Sequence, residues 1–268
     1  MLRLPAVAGR FYPADPGELQ REIAAFAAPA EQAPRSAIAG MVPHAGYRYS
    51  GHVAGAVYAR LKLPSRLLLL GPRHFPRGKA QAILSDGAWQ TPLGRAEIDS
   101  ELAGELRNAC PSLCEDAVAH ESEHALEVQL PFLQHLAGDF RFVPIALGPL
   151  DYVQLQTLGR AIADVLQRHT GPVLMMASSD MNHYESDEIT RRKDGLALER
   201  VLELDARGLF DTVRREGITM CGFGPVVSML TAARLLGATR ARLVRYATSG
   251  DISGDRDEVV GYAGVIVE

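Results

Sequence analysis

Apolar residues fall along this chain in two alternating kinds of run. Short unbroken runs at 37–42, 66–71, 81–85, 142–148, 173–178, 243–247 and 259–267 read as strands. Strands buried on both faces show such continuous runs rather than strict alternation. Between them, apolar positions recur every three or four residues at 51–61, 152–167, 196–216 and 225–236, which is the helical period. Ser50 reads as the cap of the 51–61 helix, and the 196–216 stretch reads as two pieces around 205–208. A first helix begins after Asp15, with Pro16 at its first position, Glu18 three after the cap, and Leu19, Ile23 and Phe26 on one face. Residues 121–137 are helical in pattern, with Pro131 marking a kink or the true start. Residues 89–94 read as a turn, and 28–35, rich in Ala and Pro, as a connection. Alternating strands and helices predict one α/β domain over 1–268, with a central mixed, largely parallel sheet flanked by helices.

Composition narrows the class of protein. The 268 residues carry 28 Lys+Arg against 32 Asp+Glu, a net charge of −4, so no basic excess points to nucleic acid. At 47% hydrophobic, the chain can build a core without covalent staples. No apolar run approaches the ~18 residues of a membrane span, and Met1-Leu-Arg-Leu-Pro5 does not read as a signal peptide. Three cysteines cannot all pair, which points to a reducing cytoplasm.

In parallel α/β sheets, ligands bind at the carboxyl ends of the strands. Three of those ends deliver a histidine: Pro43-His44-Ala45-Gly46-Tyr47, Gly71-Pro72-Arg73-His74-Phe75 and Ser178-Ser179-Asp180-Met181-Asn182-His183. Each alone reads as a solvated loop residue; together they read as one site. Cys221 lies in the glycine-flanked segment Thr219-Met220-Cys221-Gly222-Phe223-Gly224-Pro225, just before a helix. A helix N-terminus lowers a thiol's pKa and favours the thiolate, whereas most free cysteines are small buried hydrophobes. Two or three imidazoles with one thiolate suit Fe(II), Cu(I) or Zn(II) rather than Mg or Ca. A histidine outside the metal set is available as general base. In Ala119-His120-Glu121-Ser122-Glu123-His124-Ala125-Leu126-Glu127, His124 and Glu127 share a helix face, either lining a pocket or lying on an exposed helix start. Glu121 and His124 are spaced as in di-iron bundles, but one such pair in an α/β chain does not make that site. Cys110 and Cys114 read as unremarkable thiols, 250–255 as a loop, and no nucleotide-loop or hydrolase-elbow motif occurs.

These stretches resemble the Memo family, whose prokaryotic form is called AmmeMemoRadiSam system protein B. The resemblance rests on Ala8-Gly-Arg-Phe-Tyr-Pro13, Pro43-His-Ala-Gly-Tyr47, Gly71-Pro-Arg-His74, Thr91-Pro-Leu-Gly94, Glu123-His-Ala-Leu-Glu127, Ser178-Ser-Asp180 with His183, Cys221-Gly222 and Gly261-Tyr-Ala-Gly264. It implies a fold similar to the class III extradiol dioxygenases, which are non-haem iron enzymes. It implies a metal held by His44, His74 and Cys221, with iron first and copper or zinc as alternatives. His183 falls where those enzymes keep a general base, and Asp180 takes a supporting role toward His183 or a ligand histidine. Phe75 stands where a second histidine often follows the first, and Gly222-Phe223-Gly224 lacks the basic residues of some relatives. The implied activity is oxidase- or dioxygenase-like, on a small organic substrate. A non-catalytic binding module recognising a peptide or protein partner through the same cleft is the alternative, with a radical-SAM or AMMECR-type protein as the implied partner. A zinc hydrolase is a third reading.

Overall fold

The computed structural model describes residues 1–28 and 33–268. Part of the expected 28–35 connection, residues 29–32, lies outside the described residues. In chain order the strands are β1 (Leu2–Arg3), β2 (Ala39–Val42), β3 (Arg66–Pro72), β4 (Gln81–Ile83), β5 (Ala88–Thr91), β6 (Gly94–Ile98), β7 (Cys114–Glu115), β8 (Arg141–Leu147), β9 (Leu174–Ser178), β10 (His183–Glu185), β11 (Ala241–Thr248) and β12 (Val259–Val267). The helices are α1 (Pro16–Phe26), α2 (Tyr47–Tyr58), α3 (Ser100–Ala109), α4 (Val118–Glu121), α5 (Leu130–Leu136), α6 (Tyr152–Arg168), α7 (Asp187–Leu202), α8 (Ala206–Arg215), α9 (Phe223–Leu235) and α10 (Gly250–Ser253).

Strands β6, β8, β3, β9 and β2 lie side by side and all run parallel. Antiparallel β12 continues the sheet beyond β2, with β10 and β11 pairing to it. The mixed, mostly parallel sheet flanked by helices is the predicted architecture. The leucine run of β3 explains its continuity. Leu68 and Leu70 point into a core with residues of α3, α6, α7, α8 and α9, whereas Leu67 and Leu69 point into a second core with residues of α1, α2 and α5. Alternate residues of one strand thus reach opposite layers. Each fully buried leucine contributes roughly 1.5–3 kcal/mol.

Several local expectations need correction. Residues 89–91 are strand, paired antiparallel to β6 around Pro92-Leu93, because Trp89 is fully buried and packs against Phe142. Helix α2 starts four residues earlier than expected, at Tyr47, with Gly46 as its cap. Ser50 lies inside the helix, where its hydroxyl donates back to the Ala45 carbonyl at 2.9 Å instead of accepting as a cap does. Asp15 caps α1 as expected, accepting from the Glu18 amide at 2.7 Å. Helix α7 begins at Asp187, earlier than expected, capped by Ser186, and Asp205 caps α8 at the expected break. Residues 250–253 form a single helical turn rather than loop.

The predicted helix over 121–137 is interrupted. Helix α4 ends at Glu121, a 3-10 turn spans Glu127–Gln129, and Pro131 stands in the first turn of α5. The break lets the Glu123 carboxylate turn inward to cap three N–H groups: the His74 amide at 2.6 Å, the Ala125 amide at 2.9 Å and the His74 ring at 2.9 Å. His124 and Glu127 therefore do not share a helix face. Glu127 is buried elsewhere, accepting from Arg3 Nη1 at 2.8 Å, the Ala6 and Val7 amides at 2.8 and 3.0 Å, and Tyr12 Oη at 2.7 Å.

Candidate metal centre

The parallel order β3-β9-β2 puts three strand ends on one edge, so the loops after them converge. His44 follows β2, His74 follows β3, and Asp180 and His183 follow β9. Cys221 enters from elsewhere, immediately before Gly222, the cap of α9. The candidate ligand atoms of His44, His74 and Cys221 all lie within 4.8 Å of one another. Cys221 Sγ is 3.1 Å from His44 Nε2. Bonds of about 2.0 Å to nitrogen and 2.3 Å to sulfur span such a separation.

The ring orientations are set by hydrogen bonds. Ser178 Oγ donates its one proton to the Ala125 carbonyl at 2.7 Å and accepts from Gln129 Nε2 at 3.0 Å. It also lies 2.9 Å from His44 Nδ1, where it can only accept. Nδ1 therefore carries the proton, and Nε2 turns its lone pair toward Cys221. His74 Nδ1 donates to Glu123 Oε1, which leaves Nε2 as its candidate ligand atom. Such outer hydrogen bonds fix tautomer and raise ligand basicity.

The charges follow from burial and these partners. Burial, then the neighbouring His74, pushes the His44 pKa well below the ordinary imidazole value, so the ring stays neutral. Burial acts against the charged form of His74 as well, but the Glu123 hydrogen bond and charge outweigh it and raise that pKa. Burial would raise the Glu123 carboxyl; His74 and the backbone amides outweigh it and hold it at about 2. Cys221 departs from the expectation of a thiol acidified by its helix. Burial raises its pKa well above the ordinary value, and the Asp180 charge adds to this. Without a cation to pair with, a buried thiolate costs too much solvation for the helix end to recover.

Asp180 holds the backbone of the His44 loop, and no hydrogen bond joins it to His183 among the described residues. Its Oδ1 accepts from the His44 amide at 2.7 Å and the Ala45 amide at 3.3 Å. Thr219 instead holds His183: Thr219 Oγ1 accepts from the His183 amide at 2.7 Å, and the Thr219 carbonyl accepts from Nδ1 at 3.0 Å. The lone pair of His183 is therefore on Nε2. Because Thr219 is two residues before Cys221, one segment carries both the sulfur and the support of His183. Gly222 allows the close approach; a Cβ there would sit 2.3 Å from the Ser178 carbonyl oxygen.

His124 stacks on His74 with ring centroids 4.6 Å apart and packs on Phe11 at 4.7 Å. Burial, then His44, depresses its pKa to about 4. His74, Glu123 and His124 form a second cluster of ligand-type atoms. Glu123 already satisfies three donors there, so it reads as a support of His74 rather than as a separate site. Cys110 is buried with Sγ 3.3 Å from Ser112 Oγ, outside either cluster. Sequence reasoning singled out His44, His74, Asp180, His183 and Cys221 but not Glu123, Ser178, Gln129 or Thr219. For Glu123 and Ser178 the available signal was their place inside quoted family stretches.

An α/β protein with two histidines and a cysteine at the carboxyl edge of a parallel sheet is what fold and site define. The chain matches the Memo-like protein family over residues 3–266. It is 42% identical to a MEMO1 family protein of Methanopyrus kandleri, covering 99% of both chains. It is also 42% identical to one of Methanosarcina barkeri, covering 100% of both. The chain belongs to the Memo family. A crystal structure of an uncharacterized Escherichia coli K12 protein, JW3007, shares the fold with a TM-score of 0.56, at 11% identity, covering 83% of this chain and 98% of that one. Among the described residues, no helix is long and apolar enough to cross a membrane.

Proposed function

We propose that this protein binds one transition-metal ion, iron in first place, through His44, His74 and Cys221. We further propose that it performs an oxidase- or dioxygenase-like reaction on a small organic substrate. The reading takes residues 1–268 as one functional domain working in the cytoplasm. The observation that carries it is the convergence of two tautomer-fixed imidazoles and one thiol within 4.8 Å, from three distant parts of the chain. A bound ion of this kind supplies redox chemistry or Lewis acidity. The rest is the protein's own work. Glu123 and Ser178 hold the two ligand rings. Cys221 would hold such an ion as the thiolate, its proton released to solvent. His183 Nε2, with Nδ1 tied to the Thr219 carbonyl, is the group placed to accept a proton from substrate. Asp180 fixes the His44 backbone.

The test is anaerobic Fe(II) loading with metal analysis, followed by oxygen uptake on a panel of catechols and other reductants. One iron per chain in the wild type, lost in His44→Ala, is expected; full retention in that variant overturns the metal assignment. Bound metal with no oxygen uptake on the panel defeats the redox part. That result would favour the second reading, a module for a peptide or protein partner such as a radical-SAM or AMMECR-type protein. A separate open cleft of about 890 Å³, lined by Leu2, Leu4, Phe75 and Val118 with Arg3, Arg10 and Glu121, rather than the metal cleft, is the surface that speaks for a partner. Co-purification unaffected by His44→Ala would support it.

A further inference from the structure

A smaller cleft of about 200 Å³ adjoins the metal cluster and shares Cys221 with it. Two arginines, Arg73 and Arg214, line it, and no acidic residue does. Nearby Arg77 and Arg215 pair with Glu121 and Glu216. Arg73 and Arg214 form no ion pair among the described residues. Arg73 is fixed in place: Nη1 donates to the Arg77 carbonyl at 2.8 Å and the Gly78 carbonyl at 2.5 Å. Its Nε is shut off from solvent and has no hydrogen-bond partner. The guanidinium lies against Gly148, where a Cβ would come within 2.9 Å of Nη2 and 3.2 Å of Nε. Glycine at 148 therefore gives the fork its space. Arg214 is exposed and stands over the Phe210 ring at 5.3 Å. Gly224 and Pro225, in the first turn of α9, complete the wall, and that helix has no side-chain cap.

We propose that this cleft binds the carboxylate or phosphate group of a small organic molecule. Arg73 Nη2, held in place and without a hydrogen bond among the described residues, is a donor free for an anion oxygen, the Arg214 guanidinium adds a second charge, and a cleft of about 200 Å³ suits a small group. Combined with the metal reading, on which this clause rests, the substrate is a small organic acid or phosphate ester whose other end reaches past Cys221.

The anion site itself needs no metal, so it is tested on the metal-free protein. Inorganic phosphate and succinate are titrated by calorimetry into the wild type, Arg73→Gln and Arg214→Gln. Saturable binding of either anion in the low-millimolar range is expected, weakened about tenfold by Arg73→Gln and less by Arg214→Gln. Binding of phosphate alone assigns the phosphate class, and of succinate alone the carboxylate class. Since Arg73 also braces its loop, Arg214→Gln decides the matter if Arg73→Gln does not fold. No saturation by about 50 mM, or unchanged binding in the folded variants, overturns the proposal. Failure of iron loading in the wild type would instead strike the metal reading and leave this result standing.

Discussion

Ser178 Oγ accepts from His44 Nδ1 at 2.9 Å because its own proton is committed to the Ala125 carbonyl at 2.7 Å. A hydroxyl on β9 thus decides which nitrogen of a histidine after β2 faces Cys221. Ser178→Ala should lower transition-metal affinity about 10- to 100-fold. A competition titration against a chelator would measure this. Nitrogen NMR shifts should show His44 losing its single tautomer, and an unchanged tautomer would remove Ser178 from this role.

Glu123 does the same for His74, with a charge. In Glu123→Gln, an amide N–H₂ must face at least one of the three N–H donors that the carboxylate now accepts. A destabilisation of about 2 kcal/mol or more is expected in urea unfolding. The His74 pKa should fall as well, because the hydrogen bond and charge that raise it are weakened.

Cys221→Ser should weaken soft-metal binding by more than about tenfold, since a hydroxyl replaces the thiolate. Cys110→Ser should leave it unchanged. Because burial keeps the free Cys221 thiol protonated, metal uptake should release a proton and affinity should rise with pH. Calorimetry in buffers of different ionisation enthalpy counts that proton. Equal affinity in the two serine variants, or no proton released, would exclude the sulfur as a ligand.

Asp194 offers a test of stability against pH. Burial raises its carboxyl to about 7, although Tyr246 and the Asn182 amide both donate to it. A carboxyl whose folded pKa exceeds its unfolded value gives its full stabilisation below the unfolded value near ~4. That contribution is lost as pH climbs through about 7. The whole change is on the order of 4 kcal/mol. Asp194→Asn should therefore gain on the wild type between pH 5 and pH 8 in thermal unfolding. A constant difference across that range would refute the shifted pKa. The depressed His44 and His124 pull the other way in both proteins, so only the difference between variant and wild type carries the test.

Gly222→Ala should destabilise the fold by about 1–3 kcal/mol and disturb metal binding. The new Cβ would press on the Ser178 carbonyl oxygen and on Ser179, whose hydroxyl accepts from the Gly222 amide at 3.0 Å. Relief would have to come from moving the Cys221 segment. Wild-type metal affinity in a stable Gly222→Ala protein would show that the segment has slack.

The sequence by itself determined the central strands, most helices and the edge where the site lies, but not the short strands β1, β5, β6, β7 and β10. Unbroken apolar runs mark buried parallel strands, and residues just past them must sit at one rim. That reasoning reaches His44, His74 and His183, and a glycine-flanked cysteine before a helix adds Cys221. Tertiary structure alone decided what the polar groups around the site bond to. Helical spacing paired His124 with Glu127, but Glu127 turns to Arg3 and Tyr12, over a hundred residues away in sequence, while His124 stacks on His74. Local spacing carries no information about such partners. The Cys221 thiol makes the same point: sequence shows the helix end that would acidify it, but only the packed protein shows the burial that outweighs it.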